Sequence, residues 1–311
     1  MQKGIDKGTL KELCDALLDA VWIQWRSLGT SVNARRLSNS MVDPEALILM
    51  SLTLRDNERR LWNVMGSWAR KGSKLFSIQR VKNLALLFPP IAQERLGEFA
   101  YRARYEGKDH RWKGLLGTNA GPGVRSQELR DAYPKEWHPA ALTLRLRLGF
   151  GIGITSDLLA LLLAQNGEWI NTTSIAQAID YSPFAVRRAA EGMTAAGLIE
   201  TTGRKPFRYR VNISPWCELL AMDGGVPEWC HWKGVYSFCA SLISEFGEGN
   251  NEDRSAYLLN SELRDLVEEH EDTFRLIKID YPEPQEHIGE DYLGAINAFL
   301  LDLAKWIRET V

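Results

Sequence analysis

Cysteine is scarce in this chain: Cys14, Cys217, Cys230 and Cys239 are the only four in 311 residues. So dilute and uneven a set excludes a disulfide scaffold and fits a reducing compartment. Long apolar runs are missing as well. The longest, Leu158 to Ala164, falls far short of the ~18–20 residues a membrane span needs. Met1 to Gly8 carries charge and no apolar core, so no secretory leader is expected there. A cytoplasmic location without a membrane partner is the expectation.

Catalytic signatures are equally absent. The sequence holds no G-x-S-x-G and no H-E-x-x-H, and His138 and His270 have no nucleophile motif beside them. The glycine-rich stretch GLLGTNAGPGVRS lacks the closing Gly-Lys-Ser/Thr of a phosphate-binding loop, and the dinucleotide fingerprint does not occur. Adjacent Cys230 and His231 do not share one tetrahedral ion readily, and no pair of cysteines has zinc-ligand spacing. No catalytic residue, metal or other cofactor is therefore expected, and the chain is not read as an enzyme.

What is present is an uneven distribution of charge. The total of 38 Lys and Arg against 40 Asp and Glu hides it. Residues 1–152 hold 25 basic against 15 acidic side chains, residues 153–214 hold 6 against 5, and residues 215–311 hold 7 against 20. A basic first half and an acidic final third point to one side facing a polyanion and another turned away from it, unless solvated helix faces simply differ.

Apolar spacing of three and four predicts a helix from Leu10 to Leu28. The polar stretch from Thr30 to Met41 reads as a connector. Asp43-Pro44-Glu45 opens a second helix with an acceptor at the cap and proline in the first turn. Further helices are predicted over 55–71, 77–88 and 91–105. Arg59, Arg60, Arg70, Lys71, Lys74, Arg80 and Lys82 are expected on the surface of this basic unit, either lying on phosphates or serving as solubilising charges. The division expected is a basic helical domain over 1–115, an irregular linker over 116–141, a central domain over 142–214 and an acidic helical domain over 215–311. Leu142 to Leu148 alternates leucine with Thr143, Arg145 and Arg147; the period of two argues a strand, with a helix of the same composition left open.

The central stretch is the most informative. ITSDLLALLLAQNG gives one helix, NTTSIAQAID a second capped by Asn171 or Thr172, and SPFAVRRAAEGMTAAG a third capped by Ser182 with Pro183 behind it. LIETTG and PFRYRVNI then form a basic hairpin. Val186, Ala189, Ala190 and Met193 make the apolar stripe of the third helix, leaving Phe184, Ala185, Arg187, Arg188 and Glu191 outward. The fold class expected is mainly α, with a winged helix-turn-helix between all-helical domains. The helix 182–196 would read bases and the wing 200–211 would meet the backbone. The residues expected to touch double-stranded DNA are Thr172, Thr173, Ser182, Phe184, Ala185, Arg187, Arg188, Arg204, Lys205 and Arg208.

The run from Thr172 to Val211, with SIAQAIDYSPFAVRRAAEGMTAAGLIE and RYRV, resembles bacterial winged-helix transcriptional regulators of the broad MarR/ArsR-like kind. LTLRLRLGFGIGITSDLLALLL and DPEALILMSL are similar to parts of a larger bacterial winged-helix group of undefined role. The resemblance implies DNA binding through the third helix and wing, as a homodimer on a palindromic site. It covers about a fifth of the chain and leaves the flanking helices unexplained. Winged helices also bind proteins, so a non-catalytic scaffold is the alternative. The acidic, aromatic-rich final third would dimerise, take a small effector or hold a partner protein.

Overall fold

The computed structural model describes residues 5–34, 36–117, 121, 137–222, 224–247, 255–283 and 290–311, with only the backbone of Ala256 and Glu290. Most of the expected linker, the polar loop 248–254 and the acidic stretch 284–289 lie outside the described residues. The chain is mainly helical, and among the described residues no helix is long and apolar enough to cross a membrane.

Five helices come first: α1 (Lys7–Ser27), α2 (Pro44–Thr53), α3 (Leu61–Lys71), α4 (Ile78–Ala85) and α5 (Pro90–Tyr105). Their starts follow from local chemistry. The side chain of Asp6 accepts the Thr9 amide at 2.9 Å, and Asp43 accepts that of Ala46 at 3.1 Å with Pro44 at the first position. The helix expected from Arg55 begins only at Leu61, because 54–60 form a tight turn instead. The middle of the chain holds α6 (Leu142–Phe150), α7 (Ile154–Ala164), strand β1 (Ile170–Asn171), α8 (Thr172–Ile179), α9 (Pro183–Ala195), β2 (Glu200–Thr201), β3 (Arg208–Arg210) and α10 (Ile213–Leu219). The three short strands pair antiparallel in the order β1-β3-β2, with Ile170 opposite Tyr209 and Glu200 opposite Arg210. The chain ends in α11 (Trp232–Phe246), α12 (Ala256–Glu269), α13 (Glu271–Ile277) and α14 (Glu290–Thr310).

Two hydrophobic cores organise these elements, and they do not follow the expected domain boundaries. One core runs through α1–α5 and takes in α11–α14. The other gathers α6–α10 with Met41 and Met222. The acidic final third is therefore no separate unit: α1 packs on α14 and α2 on α11. Polar contacts seal the joint. Tyr236 donates its hydroxyl to Gln24 at 2.9 Å, Trp232 donates its indole N–H to Ser40 at 3.1 Å, and Arg308 pairs with Glu12 at 2.5 Å. The connector after α1 is thus partly interior, with Thr30, Ser38 and Ser40 buried. Thr30 accepts the Trp68 indole N–H at 2.8 Å.

The segment expected as a strand, 142–148, is helix α6. Its leucines are buried on two sides at once: Leu144 belongs to the first core, Leu142 and Leu146 to the second. A helix squeezed between two cores buries residues all round its axis. The alternation reflects that double burial and not a pleated face.

Candidate functional site

The helices α8 and α9 are joined by a three-residue step. Asp180 adopts a left-handed conformation at φ 62° and ends α8, Tyr181 follows, and Ser182 starts α9 by accepting the Ala185 amide at 3.2 Å. Val186, Ala190 and Met193 turn inward while Ala189 is half-buried. That rotation leaves Phe184 71% exposed, with Arg187 and Arg188 exposed beside it and Ala185 half-buried. Arg204, Lys205 and Arg208 are exposed on the hairpin, the first two at its tip. The Arg187 guanidinium lies 5.9 Å from the Phe207 ring centre, so the helix face and the hairpin adjoin.

The amino-terminal end of α8 contributes less. Asn171, not Thr172, is its cap, accepting the Ser174 amide at 2.9 Å. Thr172 is half-buried with its hydroxyl 3.5 Å from the Phe207 carbonyl, and Thr173 is exposed. Arg187, Arg188, Arg204, Lys205 and Arg208 have no carboxylate partner among the described residues. Arg210 differs: it pairs with Glu200 at 2.7 Å and lies 4.6 Å from the Trp169 ring centre.

A second constellation lies beneath the α8–α9 turn and is invisible in the sequence pattern. Glu45, fully buried in the first turn of α2, accepts from Arg80 at 2.8 Å, from Arg147 at 2.5 Å and from the Ser77 amide at 2.8 Å. Arg80 reaches Asp43 at 2.5 Å and Asp180 at 3.1 Å. Arg147 also pairs with Asp157 at 2.8 Å, and Tyr181 donates its hydroxyl to the same carboxylate at 3.1 Å. Lys233, from the first turn of α11, pairs with Asp180 and donates to the Gln177 carbonyl at 2.5 Å. The α8–α9 turn is thereby tied to α2, α4, α6, α7 and α11. Arg80, expected on the basic surface, is 7% exposed, and Arg147, expected outward from a strand, is 3% exposed.

Electrostatics explain why these charges persist in the interior. Burial works to raise the Asp43 carboxyl, but the charge and hydrogen bonds of Arg80 and the Ala46 amide hold it below the usual carboxylate range. Burial likewise disfavours charge on Arg80, and Asp43, Glu45 and Asp180 outweigh it and lift its affinity for the proton. His231 has no such carboxylate support: burial and nearby Lys233 push its imidazole down to about 3. Burial and Glu228 push the Cys230 thiol up to about 12, so it is not a reactive thiolate. Among the described residues no His/Cys/Asp/Glu group has the arrangement to hold a metal ion. Ser237 and His270 stand 3.3 Å apart, but both are buried, and the Ser237 hydroxyl also reaches the Gly234 carbonyl at 3.1 Å, so the pair braces α11 against the end of α12.

The motif at Asp43-Pro44-Glu45 announces the helix cap, and the structure gives both carboxylates a further task that spacing along the chain does not encode. The structure brings the cations of α9 and the hairpin together on one exposed face, and it gathers a second charged set where no motif pointed. No family model, no curated protein and no solved structure matches the chain.

Proposed function

We propose that residues 154–211 form a winged helix-turn-helix and that the protein is a sequence-reading DNA-binding regulator. One observation carries the reading: five cations without a carboxylate partner, Arg187, Arg188, Arg204, Lys205 and Arg208, adjoin one another on α9 and the hairpin. An unpaired surface guanidinium is available to phosphate or to a guanine edge, whereas Arg210, held by Glu200, is not. Phe184, exposed in the first turn of α9, supplies an apolar contact for a thymine methyl. In this reading α9 lies in the major groove and Arg204 and Lys205 meet the backbone beside it.

The test is fluorescence anisotropy with a duplex from the region upstream of the protein's own gene, against a scrambled duplex, across a salt series. Replacing Arg187 and Arg188 together by alanine should cost roughly 1–3 kcal/mol and narrow the gap between the two duplexes. Replacing Arg204 and Lys205 together should weaken both duplexes alike and shrink the salt slope by about 1 per lost phosphate contact. Binding indifferent to salt, or unchanged in both double variants, overturns the reading and favours a protein partner for this face.

A further inference from the structure

Two connected spaces separate the α7–α9 unit from the rest of the molecule. The inner one, about 470 Å³, touches the buried cluster through Asp43, Arg80, Arg147, Asp157 and Lys233. The outer one, about 1660 Å³ out to its open mouth, lies between α7–α8 and α13–α14, with Trp229 and Trp306 in its wall. Leu161, Ala178, Trp229, Cys230 and His231 border both spaces, so they form one cleft with a charged inner end.

Three features of this cleft select its occupant. The carboxylates Asp43, Glu45, Asp157 and Asp180 outnumber the cations Arg80, Arg147 and Lys233 by one. His231 does not restore the balance, because burial and Lys233 keep it neutral. Its Nδ1 has no hydrogen-bond partner among the described residues, although the side chain is 9% exposed. With the ring hydrogen on Nε2, that nitrogen is an acceptor lacking a donor. Finally, two half-buried indoles flank the wider part: Trp229 lies 5.6 Å from the His231 ring centre and Trp306 5.6 Å from that of Trp232. Indole faces favour cations and flat apolar bodies. At the mouth Glu228 and Glu309 are matched by Lys278 and Lys305, so selection by charge belongs to the inner end.

We infer that this cleft binds a small aromatic alkylamine, with its ammonium group between His231 and the Asp43–Asp157 carboxylates and its ring against Trp229 and Trp306. A primary ammonium brings the N–H donor that Nδ1 lacks and the positive charge that the cluster lacks. A quaternary ammonium brings only the charge, and a carboxylate opposes it. Binding of this ligand does not depend on the DNA reading and is measured without DNA.

The experiment is isothermal titration of the full chain at neutral pH with naphthylethylamine, with naphthylethanol of the same shape, and with naphthylacetate. The amine is expected to bind about tenfold or more tighter than the alcohol, the margin of a charge-assisted hydrogen bond, and the anion to bind weakest. In His231→Phe the amine should lose about tenfold while the alcohol is unchanged; in Trp229→Ala both should weaken. Equal affinity of amine and alcohol, tightest binding of the anion, or no heat from any of the three overturns the assignment. If His231→Phe does not fold, the ligand series on the unaltered chain decides by itself.

Discussion

Arg147 and Arg187 carry the same guanidinium into opposite settings. Arg147 is 3% exposed and held by Glu45, Asp157 and the Leu75 carbonyl at 3.1 Å. Arg187 is exposed, with only a ring face beside it. The buried one has given up its hydration for fixed partners, so removing any partner strands a charge in the interior. The exposed one keeps its hydration and is free to exchange it for a ligand. The buried cluster therefore bears on how the α8–α9 turn is held, and the exposed set bears on what the module meets.

Substitutions separate the two regions by the size of their effect on folding. Glu45→Ala leaves Arg80 and Arg147 without their shared carboxylate and should destabilise the chain by about 3–5 kcal/mol, read from urea unfolding. A loss under ~1 kcal/mol there would mean that the cluster relaxes or admits water, and the contrast with the surface would collapse. Asp180→Asn keeps a residue type tolerant of the left-handed turn but deletes the charge facing Arg80 and Lys233. It should cost about 1–3 kcal/mol, less than Glu45→Ala because its side chain is partly open to water.

Acid offers a third probe. The His231 imidazole titrates near 6.5 in an unfolded chain and near 3 in the fold. Above about pH 6.5 both forms are neutral and the group contributes nothing to the pH dependence. As pH falls from there towards about 3, the unfolded chain gains a proton that the folded chain refuses, so stability falls. The depressed Asp43 carboxyl adds a second loss: its contribution is present above the unfolded value of about 3.9 and disappears as pH drops through its lower folded value. Melting temperature between pH ~6.5 and ~4 should therefore decline less in His231→Phe than in the unaltered chain. Equal declines would assign the acid sensitivity elsewhere. The smallest effect belongs to the surface. Replacing Arg187 and Arg188, or Arg204 and Lys205, by alanine should leave unfolding free energy within about 0.5 kcal/mol. A larger loss would show that these cations hold the hairpin together.

The same contrast explains how much was legible in the sequence. The bounds of α8 and α9, their caps at Asn171 and Ser182, and the inward stripe of Val186, Ala190 and Met193 follow from neighbours along the chain. So does the exposure of Phe184, Arg187 and Arg188. Glu45 and Arg147 meet across 102 positions, and no local rule links them. Arg80 reads as one more surface cation in a basic stretch because its partners Asp43 and Asp180 lie far from it in sequence. Helix α6 misleads for a related reason: periodicity reports one buried face, and α6 has two. The final third reads as a separate acidic domain because its apolar helices do not reveal that α1 and α2 are what they cover.

The packing of α1 on α14 also has a kinetic consequence. Glu12 meets Arg308 across 296 positions, so the larger core closes only after nearly the whole described chain has left the ribosome. The α6–α10 core is assembled from near neighbours and has no such wait. During synthesis the DNA-reading module would be ordered first, while the apolar faces of α1 and α2 stay uncovered until α11 and α14 arrive. That interval is when the young chain is most open to chaperones and proteases.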